Sequence, residues 1–198
     1  MPQNFPQLSL TQGQLLWAVS EGREPDALLR DQVRYFRQLG IPKKSAEEAN
    51  GSGNHIRYEF HDLVELGLAL TGLRLRFKPM DIKAVLDVDR ERMRNAVELA
   101  WRELPDGVLE DSWVKSRGKS TVEFGDELYL RLHDRRSAKW GRLDFVGPND
   151  DLNTGRKPFD AIERMPDGQI YDVIKIKQSM VPWVAWALEA PSIKTGPK

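Results

Sequence analysis

Gln32-Val33-Arg34-Tyr35-Phe36-Arg37, then Gly40-Ile41-Pro42, then Asn50-Gly51-Ser52-Gly53-Asn54, then Ile56-Arg57-Tyr58 ahead of Asp62-Leu63 is the stretch that decides the reading of this chain. It spells a short basic helix, a stop, a glycine-rich hairpin tip and the start of another helix. Asn and Gly tolerate positive φ, so residues 50–54 suit a tight hairpin end, with 56–60 as the return arm. That order of parts is that of a winged helix-turn-helix, and it points to a nucleic-acid duplex as ligand.

Working outward toward the amino terminus, Leu8-Ser9-Leu10 reads as a short extended lead-in. Thr11 is a good N-cap for a helix over 12–20, with Leu15, Leu16 and Val19 as its apolar face. Gly22 and Pro25 break the chain, and Asp26 can cap a second helix over 27–39. Its Leu28, Leu29, Val33, Phe36 and Leu39 are expected inward and its Arg30, Arg34 and Arg37 outward. Two short helices across a tight break make a helix-turn-helix candidate.

Toward the carboxy terminus, a third helix is expected over 61–73, and Pro79 suits the first position of a fourth ending near Leu86. A fifth is expected over 89–104, where Met93, Ala96, Val97, Ala100, Trp101 and Leu104 form one apolar stripe. Pro105-Asp106-Gly107 is the strongest boundary in the chain. Beyond it the pattern changes to alternation, and strands are expected over 121–124, 128–132, 141–146, 161–164 and 169–176, with a short apolar segment over 180–188. The expected fold is therefore α+β: an amino-terminal winged helix-turn-helix over 8–86, a connecting dimerisation helix over 87–104, and a small β-rich domain over 108–190 for effector binding or oligomerisation.

Composition sets the limits of this reading. The chain has 198 residues, 40% of them apolar, enough for a real core. It has no cysteine, which excludes disulfides, thiolate metal ligands and thiolate sensors. No apolar run approaches the roughly 20 residues of a membrane span, and the amino-terminal residues lack the basic and apolar regions of a signal peptide, so a cytoplasmic location is expected. Lys plus Arg equals Asp plus Glu at 30 each, so any hold on a polyanion must come from a local patch. Over 28–58 the basic residues Arg30, Arg34, Arg37, Lys43, Lys44 and Arg57 face only Asp31, Glu47 and Glu48.

Val33-Arg34-Tyr35-Phe36, Ile56-Arg57-Tyr58, Asp62-Leu63 and the run from Gly72-Leu73-Arg74 to Ile82-Lys83 together resemble the MerR-type winged helix-turn-helix regulators. The resemblance covers roughly residues 8–105. It implies a homodimer joined by an antiparallel helix, bound to a near-palindromic operator to control transcription. The chain departs from the pattern at Glu21 to Asp26, inserted between the first two helices, and at Glu59, where a Ser or Asp cap is common. Arg57 also adjoins Tyr58 instead of sitting two residues before it, and the expected dimer helix is short.

The candidate DNA-binding residues are Arg30, Gln32, Arg34, Tyr35 and Arg37 on the second helix and Asn54, His55, Arg57 and Tyr58 on the hairpin. Arg carries five donors in a fork that matches guanine O6 and N7 or a phosphate. The plainer alternatives are a solvated basic face, a polar hairpin tip, and a Tyr58 turned partly into the core. The candidate dimer interface is Met93, Val97, Ala100, Trp101 and Leu104. Trp113, Trp140, Trp183 and Trp186, with Trp101, could line an aromatic effector pocket, or simply fill a core, which is the preferred reading.

No metal site and no cofactor are expected, since His55, His61 and His133 lack ligand spacing. No Ser-His-Asp set, P-loop or dinucleotide fingerprint occurs, so the chain is read as a non-enzyme. Asp144, Asp160, Asp172, Lys175 and Lys177 faintly suggest a metal-dependent nuclease, at poor spacing. The expected function is a sequence-specific DNA-binding transcriptional regulator. Its alternative is a DNA-architectural or recombination-directionality protein. Double-stranded DNA and a second copy are the expected partners, with RNA polymerase and a small-molecule effector as further ones.

Overall fold

A computed structural model describes residues 5–43, 56–109, 129–132, 144–146 and 172–190. The wing tip with Asn54 and His55, the strands expected over 121–124 and 161–164, and Trp113, Trp140, His133 and Asp160 lie outside the described residues. Five helices are described: α1 (Gln12–Val19), α2 (Ala27–Gln38), α3 (Phe60–Arg74), α4 (Pro79–Arg102) and α5 (Ile176–Leu188). Three short strands, β1 (Tyr129–Leu132), β2 (Asp144–Val146) and β3 (Asp172–Lys175), form one antiparallel sheet in the order β2-β1-β3.

The described residues are mostly helical, and this corrects the expected α+β fold with a β-rich carboxy-terminal domain. Helices of 8, 12, 15, 24 and 13 residues stand against strands of 4, 3 and 4. Within the alternation expected over 169–176, Asp172–Lys175 form β3, and from Ile176 onward the apolar residues repeat at helical spacing. Met180, Val181, Val184 and Ala187 are all buried on α5, along with Trp183.

The chain forms two compact units. One gathers Pro6–Leu70 with the carboxy-terminal residues from Met180 onward. The other gathers Thr71–Asp106 with the three strands and the chain through Ser179. The division at Leu70 falls inside α3.

In the first unit, local chemistry sets each helix end. Thr11 and Gln14 form a capping box: the Thr11 hydroxyl accepts from the Gln14 amide at 3.3 Å, and the Gln14 side chain accepts from the Thr11 amide at 2.9 Å. Asp26 caps α2 by accepting from the Leu29 amide at 2.7 Å. At the other end of α2, Ile41 N–H donates to Phe36 at 2.9 Å and Gly40 N–H to Arg37 at 3.0 Å, with Gly40 at φ 76. That is a Schellman stop, completed by the buried pair Phe36 and Ile41. Asp62 accepts from the Glu59 amide at 2.8 Å, so the non-standard Glu59 start of α3 is capped from inside the helix.

The core of this unit matches the expected apolar positions closely. Leu15 and Val19 of α1, Val33 and Phe36 of α2, and Leu63, Val64, Leu66, Leu68 and Leu70 of α3 are all buried. Leu16, Leu29 and Leu39 are half-buried, and Leu28 is 65% exposed. Positions 29, 33 and 36 share one helical face, and Leu28 lies about 100° off it. The lead-in pairs with the return arm through one antiparallel bridge, Leu10 to Tyr58, with hydrogen bonds of 2.8 and 2.9 Å.

The second unit contains the other correction. The helices expected over 79–86 and 89–104 are one helix, α4, of 24 residues and roughly 36 Å. No Gly or Pro interrupts Leu86-Asp87-Val88-Asp89. Lys83 and Arg90 also bracket the join, both paired with Asp87, Arg90 at 3.1 Å. At the far end, the buried Lys177 at the start of α5 meets Glu103, the C-cap of α4, at 2.8 Å.

Two measurements test this account. A Cβ on Gly40 would meet no atom within 4 Å, so Gly40→Ala is expected to cost only the left-handed backbone penalty, about 1 kcal/mol, in a urea melt. Gly22→Ala should cost more, because its Cβ would fall 2.4 Å from the Trp186 ring at an equally positive φ of 70. Asp87 is held below the usual carboxylate range near 3.8, first by its hydrogen bond from Lys83 and then by the charges of Lys83 and Arg90. Its folded value is depressed, so its contribution is present above the unfolded value and is lost as pH falls through the folded one. Asp87→Asn should therefore flatten the acid side of a plot of urea midpoint against pH, by a small amount because the pair is partly exposed.

Candidate nucleic-acid interface

Arg30, Arg34 and Arg37 recur at i, i+4 and i+7 on α2, and Val33 and Phe36 anchor the opposite side in the core. The three arginines differ in what holds them. Arg30 lies 3.7 Å from Glu24 and Arg34 lies 3.0 Å from Asp31, with all four side chains more than half exposed. Exposed pairs of this kind are worth about 0–1 kcal/mol, so a phosphate can displace them at little cost. Tyr35 is 45% exposed beside them, and Gln32 is half-buried.

Arg37 is set differently. Its guanidinium donates to the Gln12 side chain on α1 at 2.6 Å and lies near the Tyr58 hydroxyl on the return arm. Burial pushes the Tyr58 hydroxyl above its ordinary value; the Arg37 charge opposes this and the Asp62 carboxylate adds to it. Tyr58 therefore stays protonated at neutral pH.

Tyr58 is 1% exposed, so its ring belongs mainly to the core. Its backbone is tied to Leu10 on both sides. The alternation of the return arm explains the outcome: Arg57 and Glu59 are exposed while Tyr58 and Phe60 are buried. Arg57 thus stands on the outer side of the arm.

An open groove of about 500 Å³ runs along the carboxy-terminal end of α2, lined by Arg34, Arg37, Gln38, Gly40, Pro42, Ile56 and Tyr58. Two guanidinium groups and, among the described residues, no carboxylate line it. Sequence reasoning had Arg34, Arg37 and Tyr58 in view but missed Gln12 and Gln38. A lone Gln at a helix start carries no pattern that would reveal it.

Two other sets of candidates are not brought to a site. Met93, Val97, Ala100, Trp101 and Leu104 are each at most 4% exposed within a single chain. The stripe expected to face a second copy is already consumed by folding. Trp183 is buried over Gly67, where an added Cβ would come within 2.4 Å of its ring, and Trp186 covers Gly22 in the same way. Trp186 also meets Trp17 edge-on at 6.2 Å and 80°. Trp183 is part of the core and Trp186 is half-buried beside it.

The faint nuclease set is dispersed as well. Asp144 pairs in register with Arg131 and Asp172 with Leu132, one row apart, while Lys177 is buried against Glu103. Among the described residues no group of three or more His, Asp or Glu is placed to hold a metal ion. Nor is any helix among them long and apolar enough to cross a membrane.

No family model matches this chain, and neither does any curated protein or solved structure.

Because Trp101 is buried in its own chain, Trp101→Ala is expected to cost about 3–5 kcal/mol of stability. Urea melts should register that loss, while sedimentation should show the same association state as the parent protein.

Proposed function

We propose that the chain is a sequence-specific DNA-binding transcriptional regulator of the winged helix-turn-helix kind, acting in the cytoplasm as a homodimer on a near-palindromic operator. The observation that carries this reading is the outer face of α2. Arg30, Arg34 and Tyr35 are exposed there on a helix whose other side is locked into the core, and the exposed Arg57 follows on the return arm. A rigid basic helix of three turns is the part that enters a major groove, and an arm carrying Arg beside it suits the flanking backbone.

Net charge of zero favours few, well-placed contacts over broad attraction. A second copy belongs to the proposal because one short helix grips a duplex weakly. Its contact face lies away from the Met93 to Leu104 stripe. Effector binding at the tryptophans is not carried forward.

Selection from a library of randomised duplexes tests the reading, with enrichment of one inverted repeat as the expected result. Coating of duplexes without sequence preference would favour a DNA-architectural protein instead. Against the enriched site, Arg34→Ala should lose about 1–3 kcal/mol and relax the preference at one or two base pairs. Unchanged affinity in that variant would remove α2 from the interface.

A further inference from the structure

We propose that the groove between the end of α2 and the return arm seats a single backbone phosphate, with Arg37 as its ligand and Gln12 and Tyr58 as the residues that position it. This rests on the duplex-binding reading and assigns one of its contacts. The distinguishing fact is the partner of each arginine. Arg30 and Arg34 are paired with the carboxylates of Glu24 and Asp31, whereas Arg37 is held by the Gln12 amide oxygen at 2.6 Å, near the Tyr58 hydroxyl. Neutral acceptors occupy part of a five-donor fork and cancel none of its charge.

The surroundings suit an anion. Arg34 supplies a second guanidinium to the wall of the groove, and among the described residues no carboxylate lines it. Arg37 is half-buried and held by Gln12, so it loses less side-chain freedom on binding than an arginine waving in solvent. Both supports are themselves fixed: Gln12 is the first residue of α1, directly after the Thr11 capping box, and Tyr58 is tied to Leu10. Distance from the centre of α2 and lack of a base-reading partner mark this as a positioning contact for the duplex and not a reader of sequence.

The test uses charge placed on Gln12. Binding of the full chain to an end-labelled, mixed-sequence duplex is followed by fluorescence anisotropy over a series of KCl concentrations. Arg37→Gln should lower the slope of log Kd against log salt by one phosphate's worth, about 0.9. Gln12→Glu should produce the same drop with Arg37 still in place, because a carboxylate now neutralises it. Glutamate at the first position of a helix is favoured by the helix dipole, so this variant keeps its fold. Gln12→Ala should weaken binding several-fold at an unchanged slope, since charge remains and only orientation is lost. A parental slope in Gln12→Glu or in Arg37→Gln overturns the assignment while leaving duplex binding intact. Absence of salt-dependent duplex binding by the parent protein would overturn the regulator reading and this site with it.

Discussion

Two glycines make room for two indole rings, and the amino-terminal unit depends on that fit. Gly22 lies under Trp186 and Gly67 under Trp183, each so close that a single added carbon would collide with the ring at 2.4 Å. Burying an indole removes on the order of 150–250 Å² from water, worth about 4–6 kcal/mol before entropy is counted. The two contacts tie α5 to the turn between α1 and α2 and to the middle of α3. They explain why α3 is buried on nearly every side, from Asp62 through Leu70. They also give the inserted turn after α1 a purpose, since Glu21 and Gly22, both at positive φ, shape the surface that receives Trp186.

With its inner side so constrained, α2 has one face left for a ligand. Its arginines are graded by their partners, from exposed and weakly paired at Arg30 and Arg34 to neutral and braced at Arg37. In a molecule of zero net charge such placement matters more than number, because screening beyond about 8–10 Å leaves only close contacts effective at ordinary salt.

Much of the amino-terminal unit was legible because its signals are local. Thr11 and Asp26 as caps, Gly40 as a stop, Pro79 at a first position and the apolar spacing of α1 to α3 each act within a few residues. The errors arose where two local signals competed or where burial had to be assigned to a partner. Asp89 looked like a new helix start, yet Lys83, Asp87 and Arg90 stitch α4 into one piece. The Met93 to Leu104 stripe was read correctly as apolar, but an apolar stripe does not announce whether it will meet its own chain or another. Tyr58 is buried, as its alternation with Arg57 and Phe60 implies.

By itself the sequence determined the ends of α1 and α2, most inward positions of α1 to α3 and the one-face spacing of the α2 arginines, because caps, left-handed glycines and periodicity are properties of neighbours along the chain. Only the tertiary structure decided which surfaces were spent on folding. It put Trp183 and Trp186 against glycines 116 and 164 positions away, covered the α4 stripe, and joined Gln12 to Arg37 across 25 residues. Contacts at such separations follow from how helices stack, and no local pattern records them.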